Sequence, residues 1–261
     1  MRNRPAVLAL AVVLLVAAGA AAAYALFLRG DNVAPLALPS ANPSAVARAS
    51  GSASAATGSA GASAVAPSLA TASSAPVDAA ALPGTWAVAP DSVVGYRVRE
   101  RLANLSADSD AVGRTNTITG SATVAAAGTT GFTVSAATFS VDMTTLTSDR
   151  SMRDNRLRRD GIETDTFPTS TFTLTEPVTV PATITSGGQI DVTLHGDLTL
   201  HGVTKTVDIP ARAQLSGGLI QIAGSVSFPF SDYAINAPNI AGFVAVEDTG
   251  TLEFLVNLTK S

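Results

Sequence analysis

Cysteine and histidine do much of the catalytic and metal-binding chemistry of proteins, and this sequence contains few of them. Its 261 residues include no cysteine and two histidines, His195 and His201. Thiolate zinc sites, thiol nucleophiles and disulfide frameworks are therefore excluded. Both histidines fall on the polar face of one predicted strand, which places their Cα atoms ~20 Å apart. We predict no metal site and no cofactor, and we interpret both histidines as surface residues, with His201 holding its own hairpin turn.

Nothing in the sequence marks a catalytic site. Serine and aspartate are abundant, but the Gly-x-Ser-x-Gly motif, which positions the nucleophile of many hydrolases, does not occur. The net charge of −4 at pH 7 argues against nucleic-acid binding, because such proteins usually carry a basic excess. We therefore predict a protein that is not an enzyme and does not bind nucleic acid.

One segment, residues 148–162, concentrates charge. It holds the following side chains: Asp149, Arg150, Arg153, Asp154, Arg156, Arg158, Arg159 and Asp160. Two interpretations stay open. The segment forms a solvated helix face whose charges pair with one another, or a cationic rim that binds a diphosphate or another acidic head group, for which the planar arginine fork is suited. On the second interpretation Arg153 and Arg156 are the head-group ligands.

Most of the C-terminal part alternates between apolar and polar residues, which is typical of β-strands with one buried face. Between residues 190 and 200, for example, apolar side chains take the even positions. About eight such segments occur, and a change of parity predicts a β-bulge at Ala136 and Ala137. Residues 148–162 lack the pattern and predict one short helix. Eight antiparallel strands with one apolar face each require a closed barrel or a sandwich.

The N-terminal part begins with an uncharged apolar run at residues 6–28. As a helix this run would measure ~34 Å, which is enough to cross the core of a bilayer. Arg2 and Arg4 precede it, so the positive-inside rule places the N-terminus in the cytoplasm and the rest of the chain outside. The alternative is a signal peptide cleaved near Ala20. Both interpretations export the chain.

The sequence thus divides into three parts. We predict a transmembrane signal anchor or signal peptide at residues 1–29, a disordered Ala/Ser/Pro-rich linker at residues 30–83, and a folded domain at residues 84–261. The linker has too few large apolar side chains to offset its chain entropy, and as a flexible coil it would span ~40 Å. The expected location is the cell membrane, as a single-pass protein with an extracytoplasmic C-terminal domain, or secretion if the signal is cleaved.

The folded domain resembles the YceI-like family of lipid-binding, lipocalin-like barrels over nearly its whole length. Four segments carry the resemblance: 84–98 (GTWAVAPDSVVGYRV), 153–172 with its RD and FPTSTF motifs, 196–205 (GDLTLHGVTK) and 230–235 (FSDYAI). The third is the most specific. The sequence departs from the family at Ala234, where glycine is usual, and at residues 161–163 (GIE), where many members carry an aromatic-rich motif. We therefore expect the barrel mouth to differ in shape.

The resemblance implies an all-β fold, an eight-stranded antiparallel lipocalin-like barrel with one short helix, with a long-chain lipid inside. It also implies export in bacteria and a carrier role. Together with the alternation, it predicts that the following residues line the interior: Tyr96, Phe132, Phe139, Val141, Phe172, Leu194, Phe228 and Phe254. The predicted function is a membrane-tethered extracytoplasmic carrier or binder of a polyisoprenoid, an isoprenoid quinone or another long-chain lipid. The alternative is a non-catalytic interaction module displayed on a cell-surface stalk.

Overall fold

The computed structural model describes residues 33–39, 78–102, 109–128, 131–236 and 244–261. The strands in these ranges are β1 (Gly84–Val88), β2 (Val93–Leu102), β3 (Ser109–Thr115), β4 (Ile118–Ala126), β5 (Gly131–Asp142), β6 (Thr147–Ser148), β7 (Thr169–Leu174), β8 (Val178–Pro181), β9 (Ile190–Leu200), β10 (Val203–Ser216), β11 (Leu219–Pro229) and β12 (Val244–Lys260). An α-helix, α1 (Ser151–Asp160), lies between β6 and β7. Short 3-10 helices occur at Ala79–Ala81, Met143–Thr145, Ala182–Ser186 and Phe230–Tyr233.

The strands close into an antiparallel barrel with eight positions around its wall. β1, β4, β5, β7, β9, β10, β11 and β12 pair in that order, and β12 returns to pair with β1. The other strands extend these positions: β2 continues β1 and pairs with β12, β3 precedes β4 and pairs with β2, and β8 follows β7 and pairs with β5. The prediction of an eight-stranded antiparallel barrel with one helix is therefore confirmed for the described residues.

The wall is interrupted between β1 and β2, at residues 89–92, where Pro90 removes a ladder donor. Asp91 adopts a positive φ of 63°. The Ser92 hydroxyl donates to the carbonyl of Ala89 (2.8 Å) and accepts from the backbone N–H of Asn257 (3.0 Å). The side chain of Asn257 in turn donates to the carbonyl of Asp91 (3.0 Å). These bonds satisfy backbone groups that the interruption frees, so β1 and β2 act as one continuous element of the wall.

A β-bulge occurs in β5. The pairing of β4 with β5 passes over Ser135, which is left as the extra residue. The predicted bulge therefore exists, one position before the Ala136 and Ala137 pair. Its effect is to turn Phe132 and Phe139, which have opposite parity, toward the same interior.

The two ends of the barrel differ. At one end, here called the mouth, α1 and the 3-10 helices Met143–Thr145 and Phe230–Tyr233 surround the interior, and Tyr233 is buried. At the other end, here called the closed end, Leu82 and Trp86 are buried side by side. The indole N–H of Trp86 donates to the carbonyl of Leu82 (2.9 Å). Large apolar side chains therefore seal the closed end.

Two parts of the predicted linker contact the barrel. Residues 33–39, here called the strap, lie against its outer wall, and residues 78–83 bring Leu82 into the closed end. In these two ranges the structure differs from the expected disordered chain, because barrel side chains hydrogen-bond to the strap and apolar residues bury Leu82. The rest of the predicted linker and the predicted anchor at residues 1–29 lie outside the described residues. Within the described ranges, no helix has the length and apolar character needed to span a membrane.

Candidate ligand-binding cavity

An internal cavity of about 150 Å³ occupies the mouth half of the barrel. All of the predicted lining residues except Phe132 lie on its wall: Tyr96, Phe139, Val141, Phe172, Leu194, Phe228 and Phe254. They come from six strands, because alternate positions of each strand face the interior. The structure thus brings these residues together around one space, and their role in binding stays a prediction.

A second cavity of about 70 Å³ lies in the closed half. Phe132 lines this cavity rather than the one at the mouth, together with Leu82 and Ile184. Four side chains line both cavities: Phe139, Phe172, Leu194 and Ile222. These four residues, here called the waist, separate two parts of one apolar tube.

The cavity is also lined by strand residues that were not among the predicted ones, such as Ile118 and Leu198, and the mouth adds lining residues from outside the strands. The mouth residues are Met143, Leu146, Leu157, Gly161, Ile162, Phe230 and Ile235. All lie outside the strands, where an argument from period-two alternation has no power. One signal did point here, since residues 161–163 depart from the family motif. Gly161 and Ile162 lie in the lining, where a bulkier aromatic motif would take up space at the mouth.

Tyr96 places a polar group in this apolar lining. Its hydroxyl is buried, and the side chain of Ser148 is close enough to act on it as a weak hydrogen-bond partner, although no hydrogen bond of good geometry forms among the described residues. The ring packs over Gly113 of β3, where an added Cβ would lie 2.3 Å from a ring carbon, so glycine at this position makes room for tyrosine. Burial raises the pKa of Tyr96 well above its ordinary value, although the nearby Arg153 guanidinium acts in the opposite direction. A buried hydroxyl with incomplete hydrogen bonding is unfavourable, so a polar group of a ligand would be stabilised here.

The buried tyrosines predict a loss of stability at alkaline pH. Burial raises the pKa of Tyr233 to about 12, and it also raises the pKa of Tyr96. A tyrosine in an unfolded chain has a pKa of ~10. Above pH 10 the folded chain therefore binds more protons than the unfolded chain, and the free energy of unfolding falls as pH rises. We expect urea unfolding to show a smaller loss between pH 9 and pH 11 in Tyr96→Phe. An undiminished loss in Tyr96→Phe would contradict this account.

The structure gives the two predicted head-group arginines partners within the chain. Arg153 is only 14% exposed, donates two hydrogen bonds to Glu100 (3.2 and 3.1 Å) and also pairs with Asp149. The side chain of Arg156 is 45% exposed, and its Nε lies 3.9 Å from a carboxylate oxygen of Asp160. Neither arginine lines a cavity. This arrangement matches a helix whose charges pair with neighbouring carboxylates, and the head-group role of Arg153 and Arg156 remains a prediction.

The two histidines have different surroundings. His195 lies on the outer wall, 35% exposed, and its hydrogen bond to Asp208 raises its pKa. The prediction that His201 is a surface residue was wrong, because its side chain is buried at the mouth. There its Nδ1 lies 2.9 Å from the carbonyl oxygen of Tyr233 and its ring centroid lies 4.3 Å from that of Phe167. It begins the β9–β10 turn with φ 51°, so it ties that hairpin to neighbouring segments of the mouth. No cluster of three or more candidate metal ligands occurs in the parts of the chain that the structure describes.

A closed eight-stranded barrel around an apolar internal cavity is the architecture of lipocalin-like ligand-binding barrels. A family model described as YceI-like domain matches residues 86–258. The chain therefore belongs to the YceI-like family, which confirms the resemblance drawn from its sequence motifs. YceI-like proteins are binding proteins and are not catalytic.

Three solved structures are similar to this chain at low sequence identity. A polyisoprenoid binding domain from Saccharophagus degradans, implicated in plant cell wall breakdown, is 19% identical, with a TM-score of 0.51 over 69% of this chain and 99% of that domain. BcnA from Burkholderia cenocepacia is 19% identical, with a TM-score of 0.46 over 65% of this chain and 98% of its own. The YceI protein of Campylobacter jejuni is 15% identical, with a TM-score of 0.39 over 56% and 83%. At 19% identity, the similarity to the S. degradans domain shows a common fold and nothing about function. No curated protein matches the chain.

Proposed function

We propose that this protein is a membrane-tethered, extracytoplasmic carrier that holds a long apolar lipid, of the polyisoprenoid or isoprenoid quinone type, inside its barrel. The observation that carries the proposal is the pair of apolar cavities, aligned along the barrel and separated by the waist. The S. degradans domain of the same fold, which is described as polyisoprenoid-binding, supports this class of ligand. The tether rests on the uncharged run at residues 6–28 and on Arg2 and Arg4 before it.

Binding in such a barrel is driven by the removal of hydrocarbon from water. Each buried CH₂ group is stabilised by ~0.8 kcal/mol relative to water. The gain relative to a bilayer is much smaller, because lipid tails are already in an apolar medium there. A lipid can therefore leave the membrane for the barrel and return to it, which suits a carrier.

The size of the two cavities sets a requirement for loading. At about 150 and 70 Å³, they are smaller than the ~300–1,000 Å³ that is usual for pockets of drug-sized ligands. A long lipid therefore requires rotation of side chains at the waist, so that the two cavities become one. Phe139 and Phe172 are only half-buried, and aromatic side chains of this kind can swing aside when a ligand replaces the contacts that they lose.

Extraction of the purified full-length chain tests the proposal. The protein is produced in a bacterial envelope, extracted with organic solvent, and its lipids are identified by mass spectrometry. We expect an isoprenoid lipid in an amount comparable to that of the protein. A folded protein that carries no lipid, and that binds neither an added polyprenol nor an added quinone, contradicts the proposal and favours the interaction module.

Two variants separate the possible contacts of the polar end of the lipid. Tyr96→Phe removes the buried hydroxyl alone and is expected to weaken a lipid with a polar end by about 2- to 10-fold, the value of one hydrogen bond. It should leave binding of a plain hydrocarbon of the same length unchanged. Arg153→Ala is expected to weaken only lipids with an acidic head group. Titration of both variants with a polyprenol, its phosphate and the matching hydrocarbon decides between them, and equal binding by Tyr96→Phe and the parent rules out the hydroxyl.

A further inference from the structure

The first half of the strap binds a buried ion cluster on the outer wall of the barrel. Glu253 points outward from β12, yet it is 2% exposed. Its carboxylate lies 2.8 Å from a guanidinium nitrogen of Arg114 and 3.5 Å from one of Arg97. The same two guanidinium groups donate to the first strap carbonyls, Arg97 to Val33 (2.8 Å) and Arg114 to Ala34 (2.6 Å). Strap and ion cluster therefore satisfy each other's hydrogen-bonding groups.

The second half of the strap continues across the neighbouring strands. The backbone N–H of Leu36 donates to Glu253 (3.4 Å), and the side-chain amide of Gln214 in β10 donates to the carbonyl of Pro39 (3.4 Å). Leu36 and Leu38 are half-buried, and both line a crevice formed with β9, β10 and β11. The strap thus has side-chain as well as backbone contacts. It lies outside residues 86–258, which the family model matches, so it is an addition to the domain.

The strap has a direction relative to the barrel. Strand β12 begins at the mouth and ends at the closed end, where Leu258 joins the cluster around Leu82. Arg97, which binds the start of the strap, is in register with Thr251 of β12. Gln214, which binds its end, is in register, through β11, with Asn257. The chain therefore comes onto the barrel on the mouth side and runs toward the closed end.

This direction constrains how the tether of the proposed function would work. Only residues 29–32 separate the apolar run at 6–28 from the strap, and they reach about 17 Å at full extension. Residues 40–77 then leave the strap and return to the same barrel at Asp78. They connect two points on one domain and add nothing to the distance between the domain and the apolar run.

We propose that the strap holds the barrel close against the bilayer with its mouth toward the lipid. The inference rests on the membrane tether of the proposed function and specifies how that tether works. A barrel held in this way takes its lipid directly from the membrane surface. A free linker of residues 30–83 would instead leave the orientation of the barrel unset.

The surface of the mouth supports this orientation independently. Met152 of α1 is 84% exposed. Among the residues that the structure describes, it is the only large hydrophobic residue that is exposed. Of the four arginines in the helix, Arg153 and Arg156 pair with carboxylates, whereas Arg158 and Arg159 are exposed. Basic side chains beside an exposed apolar one are suited to an anionic lipid surface. Met152, Arg158 and Arg159 therefore give the mouth one apolar and two basic side chains that suit contact with a bilayer.

Spin labels test whether the strap is docked. The chain has no cysteine, so Ala37→Cys and Ser225→Cys, two exposed positions in the same crevice, can be labelled alone. In the full-length chain we expect one short, narrow distance between the labels. Leu36→Asp should broaden and lengthen it, whereas Leu69→Asp, the same change at residue 69, should leave it unaltered. A broad distribution in the parent chain overturns the proposal.

Quenching in membranes tests the orientation. The full-length chain is reconstituted into phosphatidylethanolamine–phosphatidylglycerol vesicles that carry a head-group quencher, with a fluorophore at Asn155→Cys in α1 or at Thr183→Cys at the closed end. We expect stronger quenching at the mouth position, and we expect Leu36→Asp to abolish the difference. Equal quenching in the parent chain refutes the orientation. A chain that does not sediment with the vesicles refutes the tether, and with it the orientation, while the label distance still decides the docking of the strap.

Discussion

Phe139→Asp is expected to abolish lipid loading. Phe139 belongs to the waist and lines both cavities, so the new carboxylate would face the path of the hydrocarbon with no cation beside it. Enclosing an unpaired carboxylate between hydrocarbon groups costs several kcal/mol. Each 1.4 kcal/mol of this cost lowers the affinity for the lipid about tenfold. Lipid per mole of protein, measured by mass spectrometry after extraction, should fall below detection.

The matched control is Thr138→Asp. Thr138 is the preceding residue of the same strand, and its side chain is exposed on the outer wall. This variant should load lipid normally, which separates an effect of the interior from an effect of charge. Because Phe139→Asp can also weaken folding, far-UV circular dichroism is recorded in parallel, and Phe139→Trp fills the waist without adding charge. Normal loading in both folded Phe139 variants would disprove the path through the waist.

Glu253→Ala is expected to give the largest loss of stability of any change on the outer wall. The substitution leaves the guanidinium group of Arg114, 29% exposed, without its carboxylate, and it leaves Arg97, 16% exposed, with Asp110 as its remaining carboxylate partner. Removing one partner of a fully buried ion pair costs about 3–5 kcal/mol. The two arginines are partly solvated, so we expect ~2–3 kcal/mol here.

Glu176→Ala provides the comparison for this second prediction. Glu176 also pairs with a basic side chain, that of His195, but it is 70% exposed, and its removal should cost less than ~0.5 kcal/mol. Urea unfolding can be followed by the fluorescence of Trp86, the single tryptophan of the chain, which is buried at the closed end. Equal free energies of unfolding for the two variants would show that the cluster does not stabilise the barrel.

The barrel was predictable because its information is local and periodic. The alternation of residues 190–200 fixes which side chains of β9 face inward, and seven strands like it require a common interior. The alternation and the family resemblance together predicted eight lining residues, and all of them except Phe132 lie around the larger cavity. The alternation placed the bulge one residue late, at Ala136 rather than Ser135, because a bulge shifts parity over several residues without marking the one that is extra.

The parts that the sequence did not reveal depend on contacts between distant segments. His201 lies on the polar parity of its strand, and only its position beside Phe167 and Tyr233 makes it buried. The division of the interior that places Phe132 in the second cavity depends on how four side chains meet at the waist. The strap was hidden because its composition resembles that of a disordered linker. The sequence feature that could have indicated the strap is the pair Leu36 and Leu38, two large apolar residues in a segment of mostly small residues.

The closed end determines where an independently folding fragment must begin. The carboxylate of Asp78 accepts a hydrogen bond from the N–H of Ala80 (2.9 Å) and so starts the 3-10 helix Ala79–Ala81. That helix positions Leu82 in the wall of the second cavity, the one in the closed half of the barrel. The ammonium group of Lys260 donates to the carbonyl of Ala81 (2.5 Å). A fragment that begins at residue 84, the first residue of β1, would lack Leu82. Water could then enter the apolar interior through the closed end. Recombinant work on the isolated domain therefore needs to start at or before residue 78.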